Sequence, residues 1–265
     1  MKYIILLILL TIEVFASLIK APILSVDYEN ETATINLANV DEGVSGFIVH
    51  KISDNHTSIL KNVYVQNYDK DTKIVTLKMS DFNALRNNSL PSGKWKVVVG
   101  DEAQLAFGYS RALLIAPSEE IYHRITKSVK VQWVHADIFA TVISYRGHPT
   151  PLKADFEAMS VASSVGLVFI YLDKRLYTVD IKSFEILSIS DAPLVQDSVK
   201  LPFYSRVEKI EANWFGEGSD ELEDYEPHYY ELLVEYNKKD ETLYEIIKNG
   251  DEKLHFLLKK FEIGE

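Results

Sequence analysis

Short runs of alternating apolar and polar residues, separated by closely spaced turns, are the feature that most limits how this chain can fold. They extend from Ile23 to about Val99. The run ILSVDYENETATINL alternates around a turn at Glu29-Asn30-Glu31, and SILKNVYVQNYDKDTKIVTLKM turns at Asp69-Lys70-Asp71. Because a period of two places the apolar side chains on one face of each strand, this segment predicts a small antiparallel β-barrel or sandwich.

The stretch SGFIVHKISDNHTSIL contains two histidines, His50 and His56, that are six positions apart. As one extended strand, the stretch would hold the two rings roughly 20 Å apart, which is too far for one metal ion to bridge. If SDNH forms a turn, as Asp and Asn favour, His50 faces Ile59 and Ile52 faces Thr57, with His56 at the tip. Both geometries separate the rings, so we predict a hairpin rather than a metal site.

The segment KWKVVVG predicts a further strand, with Trp95, Val97 and Val99 on one face. Ahead of it, SDFNALRNN predicts one or two helical turns before a turn at Pro91-Ser92-Gly93. Both expectations rest on local pattern alone.

After Tyr109 the pattern changes to strands that alternate with helices. RALLIAP predicts a buried strand, and PSEEIYHRITKSV predicts a helix capped by Ser118 with acids in its first turn. HADIFATVIS and PLKADFEAMSVASS carry apolar residues at helical spacing, and VGLVFIYLDKRLYTVDI predicts a β-hairpin with Asp173-Lys174 between its strands. We therefore predict an α+β domain here, rather than a doubly wound parallel sheet.

The first residues predict export. Lys2 precedes an apolar run from Tyr3 to Phe15, and Val14-Phe15-Ala16 offers small residues where a signal peptidase cleaves. A helix of this length rises only about 20 Å against a hydrocarbon core of about 30 Å, so cleavage after Ala16 is favoured over an anchor. No long apolar run follows Ala16, so we expect no transmembrane helix in the mature chain. The predicted location is the periplasm or the outer cell surface.

The last part of the chain predicts an acidic linker followed by helices. FGEGSDELEDYEPHYYE is dense in acids and broken by glycine and proline. Beyond it, two sets of apolar residues at i, i+3, i+4 and i+7 predict two or three short amphipathic helices, parted near Gly250. The sets are Tyr229, Leu232, Leu233 and Tyr236, and Leu254, Leu257, Leu258 and Phe261. The predicted organisation is a signal peptide (1–16), a β-rich domain (17–109), an α+β domain (110–214), an acidic linker (215–228) and C-terminal helices (229–265).

The sequence contains no recognisable motif for catalysis, cofactor binding or metal binding. It has no cysteine, and the G-x-S-x-G, P-loop and dinucleotide-binding patterns do not occur. The nearest candidates for metal ligands are His135 with Asp137, and His148, which we interpret as ordinary surface residues. The net charge of −11 opposes binding to a nucleic-acid backbone. We expect no catalytic residue, cofactor or metal, and a binding or envelope-structural protein rather than an enzyme.

Three segments resemble a known family. IKAPILSVDYENETATI, GVSGFIVHKIS and WVHADIFATVISYRGHPTPLKADFEAMSVASSVGLVFIYLDKRLYTVD are similar to the N-terminal domain of plasminogen-binding proteins of the PgbA type from epsilonproteobacteria. The likeness covers about Ala21 to Ile210, and it consists of turns and packing residues. The resemblance implies a bacterial envelope or surface protein whose protein partner is host plasminogen.

The resemblance also implies a lysine that is presented to the kringle pockets of plasminogen, which take an ammonium together with a carboxylate, usually those of a C-terminal lysine. The printed sequence ends LLKKFEIGE, with Glu265 as its last residue. An internal lysine with Glu262 or Glu265 nearby is therefore expected to imitate that pair of charges. The predicted partner-binding residues are Lys259, Lys260, Glu262 and Glu265.

Two other functions stay open at this point. The chain is alternatively a periplasmic structural or assembly module that uses the acidic segment and the terminal helices for self-association, without plasminogen binding. Loss of oligomers on removal of the segment from Phe215 onward would favour it. The last alternative is an enzyme of unfamiliar type, which a deep polar pocket with coupled acids and histidines would favour.

Overall fold

Two β-sheets and a set of helices make up the described part of the chain. The computed structural model describes residues 18–82, 95–195 and 198–263. The first strands are β1 Ile19–Pro22, β2 Ser25–Asp27, β3 Thr32–Asn36, β4 Ser45–Ser53, β5 His56–Asp69, β6 Ile74–Asp81 and β7 Glu102–Leu105. There follow β8 Arg111–Ile115, α1 Glu119–Ser128, β9 Gln132–Val134, α2 Ala136–Arg146, α3 Lys153–Ser163, β10 Leu167–Leu172, β11 Arg175–Asp180, β12 Ile186–Asp191, α4 Tyr225–Tyr236, α5 Glu241–Lys248 and a 3₁₀-helix Glu252–Lys260. The predicted α+β class is confirmed.

The first sheet is antiparallel, with strand order β1-β7-β4-β5-β6-β3-β2. Its two outer strands, β1 and β2, are separated in the chain only by Ile23 and Leu24. The N–H of Ile23 donates to the carbonyl of Asp101 at 2.7 Å, and the N–H of Leu24 donates to the carbonyl of Thr34 at 2.8 Å. The sheet therefore curls like an open barrel, with a buried inner face. That face includes Ala33, Ile35, Ile48, Val65, Val75 and Leu77.

The hairpin of β4 and β5 confirms the predicted turn but not the predicted register. Ser53 pairs with His56 across the turn, whereas His50 pairs with Ser58 rather than with Ile59. Thr57 correspondingly faces Lys51 and not Ile52. The physical reason is a β-bulge between Lys51 and Ser53, because one unpaired residue displaces the next partners by one position. A second irregularity, between Ile48 and Val49, restores the original register.

The predicted strand KWKVVVG is wrong, because residues 95–98 pair with no other strand in the described part of the chain. The N–H of Val98 donates to the Asp101 carboxylate at 2.8 Å, and the N–H of Asp101 donates back to the Val98 carbonyl at 3.1 Å. These local bonds form a turn, and they use backbone N–H and carbonyl groups that would pair with a neighbouring strand in a sheet. Val97 is buried, but Trp95 and Val99 are 51% and 65% exposed. The helical turns predicted in SDFNALRNN are wrong at their start, because Ser80 and Asp81 end β6. Residues 83–94, which include the rest of that segment and the turn at Pro91-Ser92-Gly93, lie outside the described residues.

The second sheet has the order β12-β11-β10-β8-β9 and mixes two kinds of pairing. β10, β11 and β12 are antiparallel, and the predicted turn at Asp173 and Lys174 is confirmed, with positive φ at both residues. β8 instead runs parallel to both β9 and β10. The helices that the sequence predicts between these strands explain the parallel pairs, because parallel neighbours need a long crossover connection.

The helices of this part begin where the sequence predicts. Ser118 caps α1 by accepting from the N–H of Ile121, and His135 caps α2 by accepting from the N–H of Asp137. Buried apolar residues on α1, α2 and α3 pack against the sheet core. One stack of aromatic rings joins three elements, since Phe139 lies 4.6 Å from Phe156 and 5.3 Å from Phe203, centroid to centroid.

The first C-terminal helix, α4, packs against the second sheet. The hydroxyl of Tyr225, at the start of α4, shares its one proton between two acceptors, the carbonyls of Ile115 on β8 at 3.2 Å and of Tyr171 on β10 at 3.1 Å. Pro227 lies in the first turn of α4, where the missing N–H removes no helical hydrogen bond. The predicted helix is confirmed as α4, but its buried residues are Tyr225, Tyr229, Tyr230, Leu233 and Val234, and Tyr236 of the predicted set is exposed. The last apolar set forms a 3₁₀-helix. The proposed domain boundaries stay a prediction.

One buried carboxylate connects the two sheets. Asp180, fully buried at the end of β11, accepts the N–H of Ser45 at 3.0 Å and the hydroxyl of Tyr109 at 2.7 Å. Its other oxygen accepts the N–H groups of Lys182 and Ser183, both at 2.8 Å. Burial and the nearby Asp180 raise the pKa of Tyr109 well above its usual range, so the phenol stays a donor. This set of bonds fixes the β11–β12 loop against β4.

Candidate functional site

The predicted lysine pair lies at the end of the 3₁₀-helix, which Leu254 and Leu257 anchor by burial. Lys260 is engaged, because its Nζ lies 2.6 Å from Oε1 of Glu231 on α4. Lys259 is exposed, and its ammonium makes no ion pair or hydrogen bond with the described residues. The structure therefore distinguishes two lysines that the sequence treats alike.

The two predicted glutamates also differ. Glu262 follows the helix, with its backbone N–H bonded to the carbonyl of Lys238 at 2.9 Å. Its side chain is exposed and has no ion-pair partner within the described ranges. Glu265 lies outside the described residues. Lys259 and Glu262 thus form an exposed ammonium and an exposed carboxylate that are three positions apart on an anchored segment.

The histidines that the sequence singles out take part in local structure. His135 is a helix cap, and His56 contacts the hydroxyl of Ser53 at 2.9 Å. His50 and Asp101 form a contact of 2.7 Å. Among residues 18–82, 95–195 and 198–263, no three potential ligands cluster as a metal site requires.

His148 belongs to a buried network. Asp155, which is fully buried in the first turn of α3, accepts from Nε of Arg146 at 2.5 Å and from the N–H of Leu152 at 2.7 Å. The Nδ1 atom of His148 lies 2.8 Å from the same carboxylate. The network fixes the loop between α2 and α3, and the role of His148 within it is structural.

A cleft of about 840 Å³ lies where the curled sheet meets the second sheet and its helices. β4, β5 and β6 form one wall; α3, the ends of α2 and α4, and the β11–β12 loop form the other. Its charged lining residues are Asp81, Arg146, Lys153, Glu157, Lys182, Glu185 and Glu235. It contains no histidine in its described lining, so it lacks the coupled acids and histidines that would favour an enzyme.

Two of these charged groups have unusual surroundings. Burial lowers the pKa of Lys182 to about 8, although Asp180 and Glu157 act in the opposite direction. The Nζ atom of Lys182 lies 3.6 Å from the ring centroid of Phe47. Burial raises the pKa of Glu185 to about 7, with smaller contributions from the charges of Glu42 and Asp180.

The same two groups differ from the rest of the lining in their contacts. Ion pairs engage the other charged residues, namely Asp81 with Lys61, Arg146 with Asp155, Lys153 with Glu157, and Glu235 with Lys238. Neither the ammonium of Lys182 nor the carboxyl of Glu185 has an ion-pair partner in the part of the chain that the structure describes. Sequence reasoning missed both residues, because IKSFEI carries no motif and the cleft joins segments far apart in sequence.

Comparison with known families decides the classification. The model of the family described as plasminogen-binding protein pgbA N-terminal matches residues 18–233. The chain belongs to this family. The resemblance drawn from the sequence is confirmed, and the match extends past Ile210 into α4. The family is named for binding and not for an enzymatic activity.

Two relatives come from Helicobacter pylori, strains J99 and 26695, and both are named plasminogen-binding protein PgbA. Each is 27% identical to this chain over 206 residues, which is 76% of this chain and 44% of the relative. The chain thus spans less than half the length of the curated relatives it matches. No solved structure matches it. Among the described residues, no helix has the length and apolar character that crossing a membrane requires.

Proposed function

We propose that this chain is an exported envelope protein of bacteria, located in the periplasm or on the outer surface, that binds plasminogen. Three observations support the proposal: the signal-like first residues, the family match, and the name of the two relatives. The acidic net charge of −11 favours a protein partner over nucleic acid.

The observation that carries the proposal is the ammonium of Lys259, which is exposed and has no partner among residues 18–82, 95–195 and 198–263. A kringle pocket needs a lysine whose ammonium is not already paired, together with a carboxylate nearby. Lys259 and Glu262 meet that requirement, whereas Lys260 would first have to leave Glu231. We therefore assign the partner contact to Lys259 and Glu262, and expect smaller contributions from Lys260 and Glu265.

A comparison of two single variants tests this assignment. Plasminogen binding is measured by surface plasmon resonance for the wild type, Lys259→Ala and Lys260→Ala. We expect Lys259→Ala to weaken binding about tenfold or more, a difference of about 1.4 kcal/mol. Lys260→Ala should change the affinity less than about threefold, because the ammonium of Lys260 is already engaged by Glu231.

The exposed lysine Lys127 on α1 supplies the control, since Lys127→Ala removes the same charge elsewhere. Equal affinities for all four proteins would refute the assignment to Lys259. A loss in Lys260→Ala alone would move the site to the other lysine. Export is tested separately by fractionation of the native host and by the N-terminal sequence of the mature protein, which we expect to begin at Ser17.

A structural or assembly module is the second candidate, and an exposed aromatic group favours it. Tyr145, Trp214 and Phe215 are 93%, 99% and 87% exposed. They lie in neighbouring segments, because Asn213 donates to the carbonyl of Arg146 at 2.7 Å. Exposed aromatic groups of this kind mark contact surfaces. Light scattering of the wild type and of Trp214→Ser tests this candidate, which predicts an oligomer that the substitution dissociates and which a monomeric wild type would exclude.

A further inference from the structure

Lys182 and Glu185 line the cleft, and neither charged group has an ion-pair partner among the described residues. A half-buried ammonium or carboxyl without a partner loses hydration and gains no compensating bond. The Nζ atom of Lys182 lies over the ring face of Phe47, 3.6 Å from its centroid. Glu185 packs closely over Gly43, because a Cβ atom on Gly43 would lie 2.5 Å from the Cβ atom of Glu185. Both side chains project from one short loop, which Asp180 holds rigidly.

The size and lining of the cleft fit a small molecule. Its volume of about 840 Å³ lies within the range of roughly 300–1,000 Å³ that ligand sites occupy. Uncharged polar residues contribute to its walls between the charged groups. They are Ser45, Asn62, Tyr64, Ser80, Ser183 and Tyr236.

The balance of charges limits the class of ligand. A nucleotide or another multiply charged anion would meet the carboxylates of Glu157, Glu185 and Glu235, which repel it. A purely cationic ligand would meet Arg146, Lys153 and Lys182. A ligand with one charge of each sign satisfies both sides of the cleft.

We propose that the cleft binds a short peptide with free ends, whose carboxylate pairs with Lys182 and whose ammonium or amide N–H groups bind Glu185. The contact with Lys182 is a charge-assisted hydrogen bond in a partly desolvated site, where such bonds are strong. The peptide is a ligand distinct from plasminogen, and the site does not include Lys259. The proposal therefore stands or falls independently of the plasminogen assignment.

Calorimetric titration of the purified chain with tripeptides at pH 7.5 tests the proposal. The probes are trialanine, alanyl-glutamyl-alanine and alanyl-lysyl-alanine, each with free ends, with an amidated C-terminus and with an acetylated N-terminus. We expect at least one free tripeptide to bind. Amidation should weaken it about tenfold or more, because it removes the carboxylate that Lys182 binds.

Variants then assign each end of the peptide. Lys182→Met should weaken the free peptide about as much as amidation does, and should abolish the difference between the free and the amidated form. Glu185→Gln should weaken the free peptide about as much as acetylation of its N-terminus does, and should abolish the difference between the free and the acetylated form. Lys127→Met, at an exposed lysine outside the cleft, should leave every affinity unchanged.

The outcomes that overturn the proposal are specific. If no tripeptide of the panel binds at about 1 mM, the cleft is not a peptide site. If a free peptide binds but neither amidation nor Lys182→Met weakens it, the binding lies elsewhere. Because end-blocking uses the wild-type protein, the test remains decisive even if a variant fails to fold. Unchanged plasminogen binding in Lys182→Met would separate the two sites.

Discussion

The carboxyl of Glu185 provides a direct test of the cleft's electrostatics, through the substitution Glu185→Gln. In the folded protein its pKa is raised from 4.5 to about 7, mainly by burial. A raised pKa means that the folded state binds the proton more tightly than the unfolded state does. Its favourable contribution to stability is therefore complete below about pH 4.5 and is lost as the pH rises through 7. Glutamine does not titrate, so the variant avoids that loss.

The size of the effect follows from this pKa. At about 1.36 kcal/mol per pKa unit, a rise from 4.5 to about 7 would correspond to about 3 kcal/mol for a fully desolvated group. Glu185 remains partly exposed, and solvent screening reduces such values substantially. We therefore expect Glu185→Gln to raise the free energy of unfolding by about 1 kcal/mol at pH 8.5, and by close to zero at pH 4.5.

Urea unfolding, followed by circular dichroism at both pH values, measures this difference. The control is Glu221→Gln, at an exposed position outside the cleft, which should change stability by less than about 0.5 kcal/mol at either pH. If Glu185→Gln is no more stable than the wild type at pH 8.5, the carboxyl is not desolvated in the folded state. An equal gain at both pH values would show that the effect does not come from its ionisation.

Two further substitutions test how the framework of the cleft is held. Asp155→Asn leaves Arg146 without its buried counter-charge. We expect the free energy of unfolding, measured by urea titration, to fall by about 3 kcal/mol. A loss below about 1 kcal/mol would contradict the hydrogen-bond network around Asp155. Gly46→Ala places a Cβ 2.1 Å from the carbonyl oxygen of Gln104 on β7, which forces the strands apart. We expect the melting temperature of this variant to fall by several degrees, which corresponds to a loss of about 1–3 kcal/mol in the free energy of unfolding. An unchanged melting temperature would refute the close approach of β4 to β7 at Gly46.

The parts of the fold that the sequence predicts well are those decided by neighbouring residues. Ser118 caps α1 through a bond to a residue three positions later, and Asp173-Lys174 forms its turn within a single hairpin. The failures share a different cause. Asp101 draws the backbone of Val98 into a turn, and a bulge at Ile52 displaces the register. Neither effect is visible in an alternation of apolar and polar residues.

The candidate sites, too, can be predicted from the sequence only as far as neighbouring residues define them. The lysines of the C-terminal segment are visible in the sequence, but only the tertiary contact between Lys260 and Glu231 shows which one is engaged. The cleft depends on contacts over longer separations, such as the bond between Ser45 and Asp180, which are 135 positions apart. A lysine and a glutamate in IKSFEI carry no sign of being unpaired until the two sheets meet.

Binding of the purified chain to plasminogen, at physiological salt and with a competing lysine analogue, tests the central claim most directly. We expect saturable binding that the analogue abolishes, because the analogue and the lysine side chain of this protein would occupy the same kringle pockets. Absence of binding at micromolar protein would contradict the claim, and binding that the analogue leaves unchanged would show that no lysine side chain of this protein makes the contact.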